Sequence, residues 1–167
     1  LQISQDEFVS QFNWSQMISG PVLSACVNSP LLFGKELWSE SRIAVFKQSL
    51  DTRSSSNQLR NKMPRVYFGE DWLKDSPVNL WKNELMHFPL ILTSDDIKKS
   101  TDILDQGLIP ELRAIRLHNG TTYTWNRLCY GTGNPPHLRI ECRYLPAGPS
   151  IADEIANFAF WVGLMKG

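Results

Sequence analysis

The stretch His137-Leu138-Arg139-Ile140-Glu141-Cys142-Arg143-Tyr144 alternates polar and apolar residues with a period of two. In an extended strand, successive side chains point to opposite faces. His137, Arg139, Glu141 and Arg143 therefore share one face, and Leu138, Ile140, Cys142 and Tyr144 the other. The pattern predicts a strand whose apolar face rests on a core and whose polar face carries a carboxylate between two guanidiniums. A carboxylate is a hard oxygen ligand suited to Mg²⁺, and guanidinium is a planar fork suited to phosphate. A rigid strand bearing both suits a metal-bound nucleotide phosphate. The same spacing also suits a solvent-facing strand laced with cross-strand ion pairs. Alternation alone leaves both readings open.

A chain of 167 residues fits a single domain over 1–167 and has room to bury a core. Charged residues make up 20% and hydrophobic ones 42%, a globular and not a disordered balance. Lys+Arg and Asp+Glu stand at 17 each, which argues against general binding to nucleic acid or to an acidic membrane surface. Three widely spaced cysteines, Cys26, Cys129 and Cys142, form no CxxC pair and no closed disulfide framework. Reduced thiols in the cytoplasm are the simplest account. No uninterrupted apolar run approaches the roughly 18 residues of a membrane span, and the first residues are not those of a signal peptide. The chain opens at Leu1-Gln2-Ile3 without Met and closes at Lys166-Gly167, so a piece of a longer protein is expected.

Helix signals dominate the first two thirds. Ser4 followed by Glu7 is a capping box opening a short helix with Phe8, Val9 and Phe12 on one side. A second apolar segment runs from about Gln16 to Val27, where Pro21 is expected to kink or restart the helix, and it stops before Pro30. Leu31 to Leu37 reads as a loop. Trp38 to Leu50 reads as a helix with Ile43, Phe46 and Leu50 as its apolar stripe. The polar run Ser54 to Lys62 reads as a mobile loop, and Arg65 to Phe68 as a short strand. Ser76-Pro77 starts a helix that runs to about His87, and Ser94-Asp95-Asp96 caps a shorter one finishing at Gly107.

Beyond Pro110 the texture changes. Glu111 to Leu117 is ambiguous, Asn119-Gly120 is a hairpin-type turn signal, and Thr121 to Asn126 carries strand residues. Gly131 to Pro136 is a loop before the strand quoted above. After the Pro146-Ala147-Gly148-Pro149 turn, Ser150 with Asp153 caps a closing helix, whose predicted stripe is Ile151, Ile155, Phe158, Val162 and Met165. The sum is α+β, with helices packed on one side of a mainly antiparallel sheet.

Four stretches taken together resemble one family. They are Gly20-Pro21-Val22-Leu23 leading into Asn28-Ser29-Pro30 and Gly34; Ser41-Arg42-Ile43 with Asp51-Thr52-Arg53; and His118-Asn119-Gly120-Thr121 with Trp125-Asn126-Arg127. The last is His137 to Arg143 with Leu145 to Pro149 and Asp153-Glu154. They look like the C-terminal part of the glutamate–cysteine ligase type 2 family of carboxylate–amine ligases. The Arg-Ile-Glu-x-Arg core is also similar to a strand of the related glutamine synthetases. The matching pieces spread over most of the chain, but Ser54 to Pro110 carries little that corresponds.

The resemblance implies a partial glutamine-synthetase-like catalytic domain and an ATP-dependent ligase. In such an enzyme ATP phosphorylates the side-chain carboxylate of glutamate, and an amine, cysteine or another, attacks the acyl phosphate. Magnesium ions and arginines stabilise the transferring charge. Carried over by position, Glu141 is the metal-binding carboxylate, while Arg143 and Arg139 contact phosphate or substrate. Arg42, Arg127 and Asn28 are further candidates for holding nucleotide or substrate. Each has a structural alternative: Arg42 paired with Glu40 or Asp51, Arg127 at a sheet edge, and Asn28 capping a helix end. Cys142 should point into the core as packing. The family also uses carboxylates on strands lying N-terminal to everything here, and this chain has no such Glu-x-Glu strand. The resemblance therefore implies half a site that is inactive alone, with an uncovered apolar sheet face or edge favouring self-association. A degenerate member that binds a ligand or partner without chemistry is the alternative.

Overall fold

The computed structural model describes residues 1–51, 53–60, 63–93 and 98–167, with 57 and 60 described by backbone alone. The alternating stretch forms β7 (His137–Cys142), the middle strand of an antiparallel sheet in the order β1 (Gln2–Ile3), β7, β6 (Asn126–Gly131). The β6–β7 register sets Arg127 opposite Glu141, Leu128 opposite Ile140 and Cys129 opposite Arg139. One face therefore carries Arg127, Cys129, Arg139 and Glu141, and the other Asn126, Leu128, Ile140 and Cys142. The ladder is prolonged where the Arg143 N–H donates to the Trp125 carbonyl at 2.8 Å.

The apolar face rests on α1 (Phe8–Cys26). Phe8, Phe12 and Val22 from this helix meet Leu128, Ile140, Trp125 and Tyr144, the last three without solvent exposure. The expected capping box at the helix entry does not form: Glu7 stands at the N-cap without a side-chain cap bond, and the Ser4 hydroxyl donates to the Glu7 carboxylate at 2.8 Å instead of accepting a backbone N–H. The expected break at Pro21 does not occur, and one helix of 19 residues runs through it. Gly20 and Pro21 lie on the exposed side, where the carbonyl freed by the missing N–H faces water instead of the core. The closing helix α7 (Ile151–Lys166) crosses α1, and the Trp14 indole donates to the Leu164 carbonyl at 2.6 Å. Ser150 caps it as expected, and Met165 and Val162 of the predicted stripe pack on the core, joined by Trp161 and Leu164. Ile151, Ile155 and Phe158 face solvent instead. The helix is apolar nearly all round, so periodicity did not identify the packed side.

The chain is thus mixed α+β, with two smaller pairings beside the main sheet. Leu31 to Leu37 is not a plain loop: β2 (Leu31–Leu32) and β3 (Lys35–Glu36) form a hairpin through Phe33 and Gly34, both at positive φ, the backbone that a two-residue hairpin turn requires. The strand candidate near Arg65 is β4 (Val66–Tyr67), which pairs in parallel, not antiparallel, with β5 (Tyr123–Thr124).

Among the helices, α2 (Ser41–Ser49) buries Ser41 and Ala44 and packs Ile43 and Phe46, leaving Leu50 outside. Where the polar run Ser54 to Lys62 predicts a mobile loop, the chain forms α3 (Ser55–Arg60). The start at Ser76-Pro77 holds, giving α4 (Val78–His87), whose Val78 N–H donates to the Ser76 hydroxyl at 3.2 Å. The cap at Ser94-Asp95-Asp96 lies outside the described residues, and α5 (Ser100–Leu104) follows. The ambiguous segment becomes α6 (Arg113–Thr121), so Asn119-Gly120 is its last turn and not a hairpin. The Asn119 side chain is buried and donates to Glu84 at 3.1 Å, so α4 holds the turn in the helix. No helix among the described residues is long and apolar enough to cross a membrane.

Candidate functional site

The polar face of β6 and β7 brings Arg127, Arg139 and Glu141 together, as the alternation predicts. With Cys129 they line one cavity of about 720 Å³. The Arg127 guanidinium grips a single oxygen: its Nε and Nη2 lie 2.7 and 2.5 Å from Glu141 Oε2. The Cys129 thiol donates to the same oxygen at 3.3 Å. Arg143 approaches the other oxygen, with Nε 3.9 Å from Oε1. Burial alone would raise the Glu141 carboxyl, but Arg127, the Cys129 thiol and Arg143 outweigh it and hold the carboxyl below its ordinary value. The row is therefore an ion-paired lattice rich in guanidinium.

Arg143 is placed by aromatic rings. Its guanidinium carbon lies 3.6 Å from the Tyr123 ring centre, a close cation–π stack. Burial, followed by the like charge of Arg127, lowers its pKa. Its Nη1 is buried with no hydrogen-bond partner among the described residues. A desolvated guanidinium donor left without an acceptor is costly to keep.

Arg42 and Asn28 do not join this row. The Arg42 Nη2 donates to the Arg143 carbonyl at 2.8 Å and to the Tyr123 hydroxyl at 3.2 Å, over the Phe46 ring. Neither expected acidic partner takes it. Asp51 is held by both Nε and Nη2 of Arg53 at 2.6 Å. The Glu40 carboxylate instead accepts the backbone N–H groups of Asn28 and Ser29 at 3.2 Å and of Arg42 at 3.1 Å. Glu40 thus caps α2 and ties it to the Asn-Ser-Pro loop. The Asn28 side chain donates to the Ala147 carbonyl at 2.8 Å, fixing the Pro146 to Pro149 turn. Cys142 packs as expected, and burial pushes its thiol up to about 11.

Two arginines that the sequence reading passed over complete the picture. Arg113 and Arg116, one helical turn apart on α6, line a cleft of about 400 Å³ together with Arg127 and Arg139. Among the described residues, Glu111 is the only carboxylate in its lining. Among the described residues, no side chain bonds or pairs with the guanidiniums of Arg113, Arg116 or Arg139. Their i, i+3 spacing was the available signal, but it counts only once Glu111 to Leu117 is known to be helical. With Arg127 already paired to Glu141, Arg113, Arg116 and Arg139 leave this cleft with a positive surplus over Glu111.

The residues beside Glu141 do not by themselves fit Mg²⁺. Among the described residues no three His, Cys, Asp or Glu side chains are grouped to hold a metal ion, and Glu141 Oε2 already faces Arg127 and Cys129. No family profile matches the chain, and no curated protein or solved structure matches it significantly.

Proposed function

We propose that the chain belongs to an ATP-dependent carboxylate–amine ligase of the glutamate–cysteine ligase type, with a partial glutamine-synthetase-like fold. In this reading it supplies the guanidinium side of the active site. The observation that supports it is the Arg127–Glu141–Arg143 row on one face of β6–β7, with a buried, unpartnered donor on Arg143. Such a row suits the spread negative charge of a transferring phosphoryl group. Arg139 and the α6 arginines extend the same positive field towards a nucleotide phosphate or an acidic substrate. Glutamate is the carboxylate partner, and cysteine or another amine the acceptor. Magnesium enters only with carboxylates further to Glu141, which would first have to leave Arg127.

The test is amino-acid-dependent ADP release by the protein containing this chain, with Mg²⁺, ATP and glutamate, with and without an amine. Release that needs both amino acids and is lost in Glu141→Gln and Arg143→Met is expected. Release untouched by both substitutions would remove these residues from the mechanism. A second reading, a non-catalytic binding member, is favoured by one feature: Glu141 is already neutralised by Arg127. ATP binding that weakens in Arg127→Met, with no ADP release for any amine, would select it.

A further inference from the structure

On the opposite face of β6 lies a cavity of about 290 Å³ between α1, α4 and the 67–75 segment. Part of its lining is apolar, from Phe12, Leu73, Leu80 and Leu128. Its charged lining is one-sided: Glu70, Asp71, Asp75 and Glu84 against Lys74 alone.

Two groups in it are unusual. Glu84 is buried, at 4% exposure, and none of the described cations forms an ion pair with it. Its carboxylate is held by neutral donors, Asn119 Nδ2 at 3.1 Å among them. A buried carboxylate without a cation is costly to keep. Asn126 is buried at 1% exposure. Its Nδ2 faces α1, within hydrogen-bond distance of the Ser15 carbonyl at 3.2 Å, the Ser19 hydroxyl at 2.8 Å and Gln16 Oε1 at 2.5 Å. Its Oδ1 is buried with no donor among the described residues. Glu84 and Asn126 therefore both line this cavity beside an apolar wall, Asn126 with an acceptor that no described residue satisfies, and the acidic lining repels anions.

We propose that this cavity binds a small organic ammonium compound, its N–H groups directed to Glu84 and Asn126 and its carbon chain lying on Leu73 and Leu80. An ammonium carries three donors and a charge, so it satisfies both acceptors at once. An alcohol satisfies at most one, and a carboxylate meets four like charges. The site does not rest on the ligase reading, because Asn126 and Arg127 point to opposite faces of the strand.

The experiment is a ¹H–¹⁵N NMR titration of the chain at pH 7 with butylammonium, butanol and butyrate. Saturable shifts at Glu84, Asn126 and Leu73 are expected with butylammonium and not with butyrate, and butanol should bind about tenfold more weakly. Glu84→Gln should weaken butylammonium about tenfold while the remaining resonances stay in place. Should that variant not fold, Asn79→Lys, at an exposed lining position on α4, tethers a competing ammonium and should abolish the response. The proposal is overturned by equal binding of butanol, by no saturable shift, or by butylammonium affinity unchanged in Asn79→Lys.

Discussion

The Arg42 guanidinium donates to the backbone carbonyl of Arg143 at 2.8 Å, so a helix arginine holds the strand end that carries another arginine. The same guanidinium bonds the Tyr123 hydroxyl, on whose ring Arg143 stacks. Arg42 therefore acts as a positioning residue. Arg42→Met should leave the Arg143 carbonyl without this donor and cost about 1–3 kcal/mol in urea unfolding. Were Arg42 a phosphate ligand instead, the substitution would weaken nucleotide binding and leave the unfolding midpoint in place.

That pairing marks where the sequence stopped being legible. The alternation of 137–144 placed Arg139, Glu141 and Arg143 on one face correctly, because strand period depends on backbone geometry alone. Which acid meets which base is a tertiary fact. Glu40 was two residues from Arg42 and still turned to the Asn28 and Ser29 amides, since unsatisfied N–H groups at a helix start and in the adjoining loop compete for any carboxylate in reach.

Arg127 and Glu141 face each other directly across β6 and β7, and Glu141 remains 42% exposed at its side chain. A double-mutant cycle with Arg127→Ala and Glu141→Ala should give a coupling of about 0.2–1 kcal/mol at pH 7. Glu141's pKa is lowered on folding, so this contribution is present above the ordinary carboxyl value, about 4.3, and is lost as pH falls through the lower folded value. A coupling that persisted in strong acid would show that the pair is held by packing and not by charge.

Glu84 has the opposite sign. Burial raises its pKa, and the Asn119 and Thr122 hydrogen bonds, followed by the more distant charges of His118 and Arg127, only partly offset that. Above about 4.3 the unfolded chain releases this proton before the folded chain does, so stability falls as pH rises from there to the folded value. Glu84→Gln should remove that fall. Unfolding free energies of both proteins from pH 4 to 8 read it: the variant gains on the parent as pH rises. Parallel profiles would contradict a buried, unpaired carboxyl.

Helix faces were less legible than strand faces. Of the predicted α7 stripe Met165 is buried, while Ile151, Ile155 and Phe158 face solvent and Trp161, outside that stripe, is buried in their place. A helix apolar on several sides leaves the choice to its neighbours, here α1 through Trp14 and Leu164. Likewise Asn119-Gly120 has the composition of a hairpin turn, and tertiary contacts such as the bond from Asn119 to Glu84 on α4 accompany its helical form. Arg113 and Arg116 stayed hidden for the same reason.

Two glycines at and within α7 should respond in opposite directions to alanine. A Cβ on Gly148 would lie 2.8 Å from the Asp153 Cβ and 2.9 Å from the Glu154 backbone nitrogen, inside the first turn. The turn that Asn28 fixes cannot retreat without losing its bond to Ala147. Gly148→Ala should therefore cost about 1–3 kcal/mol through overpacking against backbone. Gly163 sits in the exposed interior of the same helix, and a Cβ there meets nothing within 4 Å. Gly163→Ala should stabilise by about 0.5–1 kcal/mol, because alanine loses less backbone entropy in a helix. Urea midpoints with unchanged slopes measure both. Equal effects of the two substitutions would mean that the approach of the turn to Asp153 is looser than the geometry described.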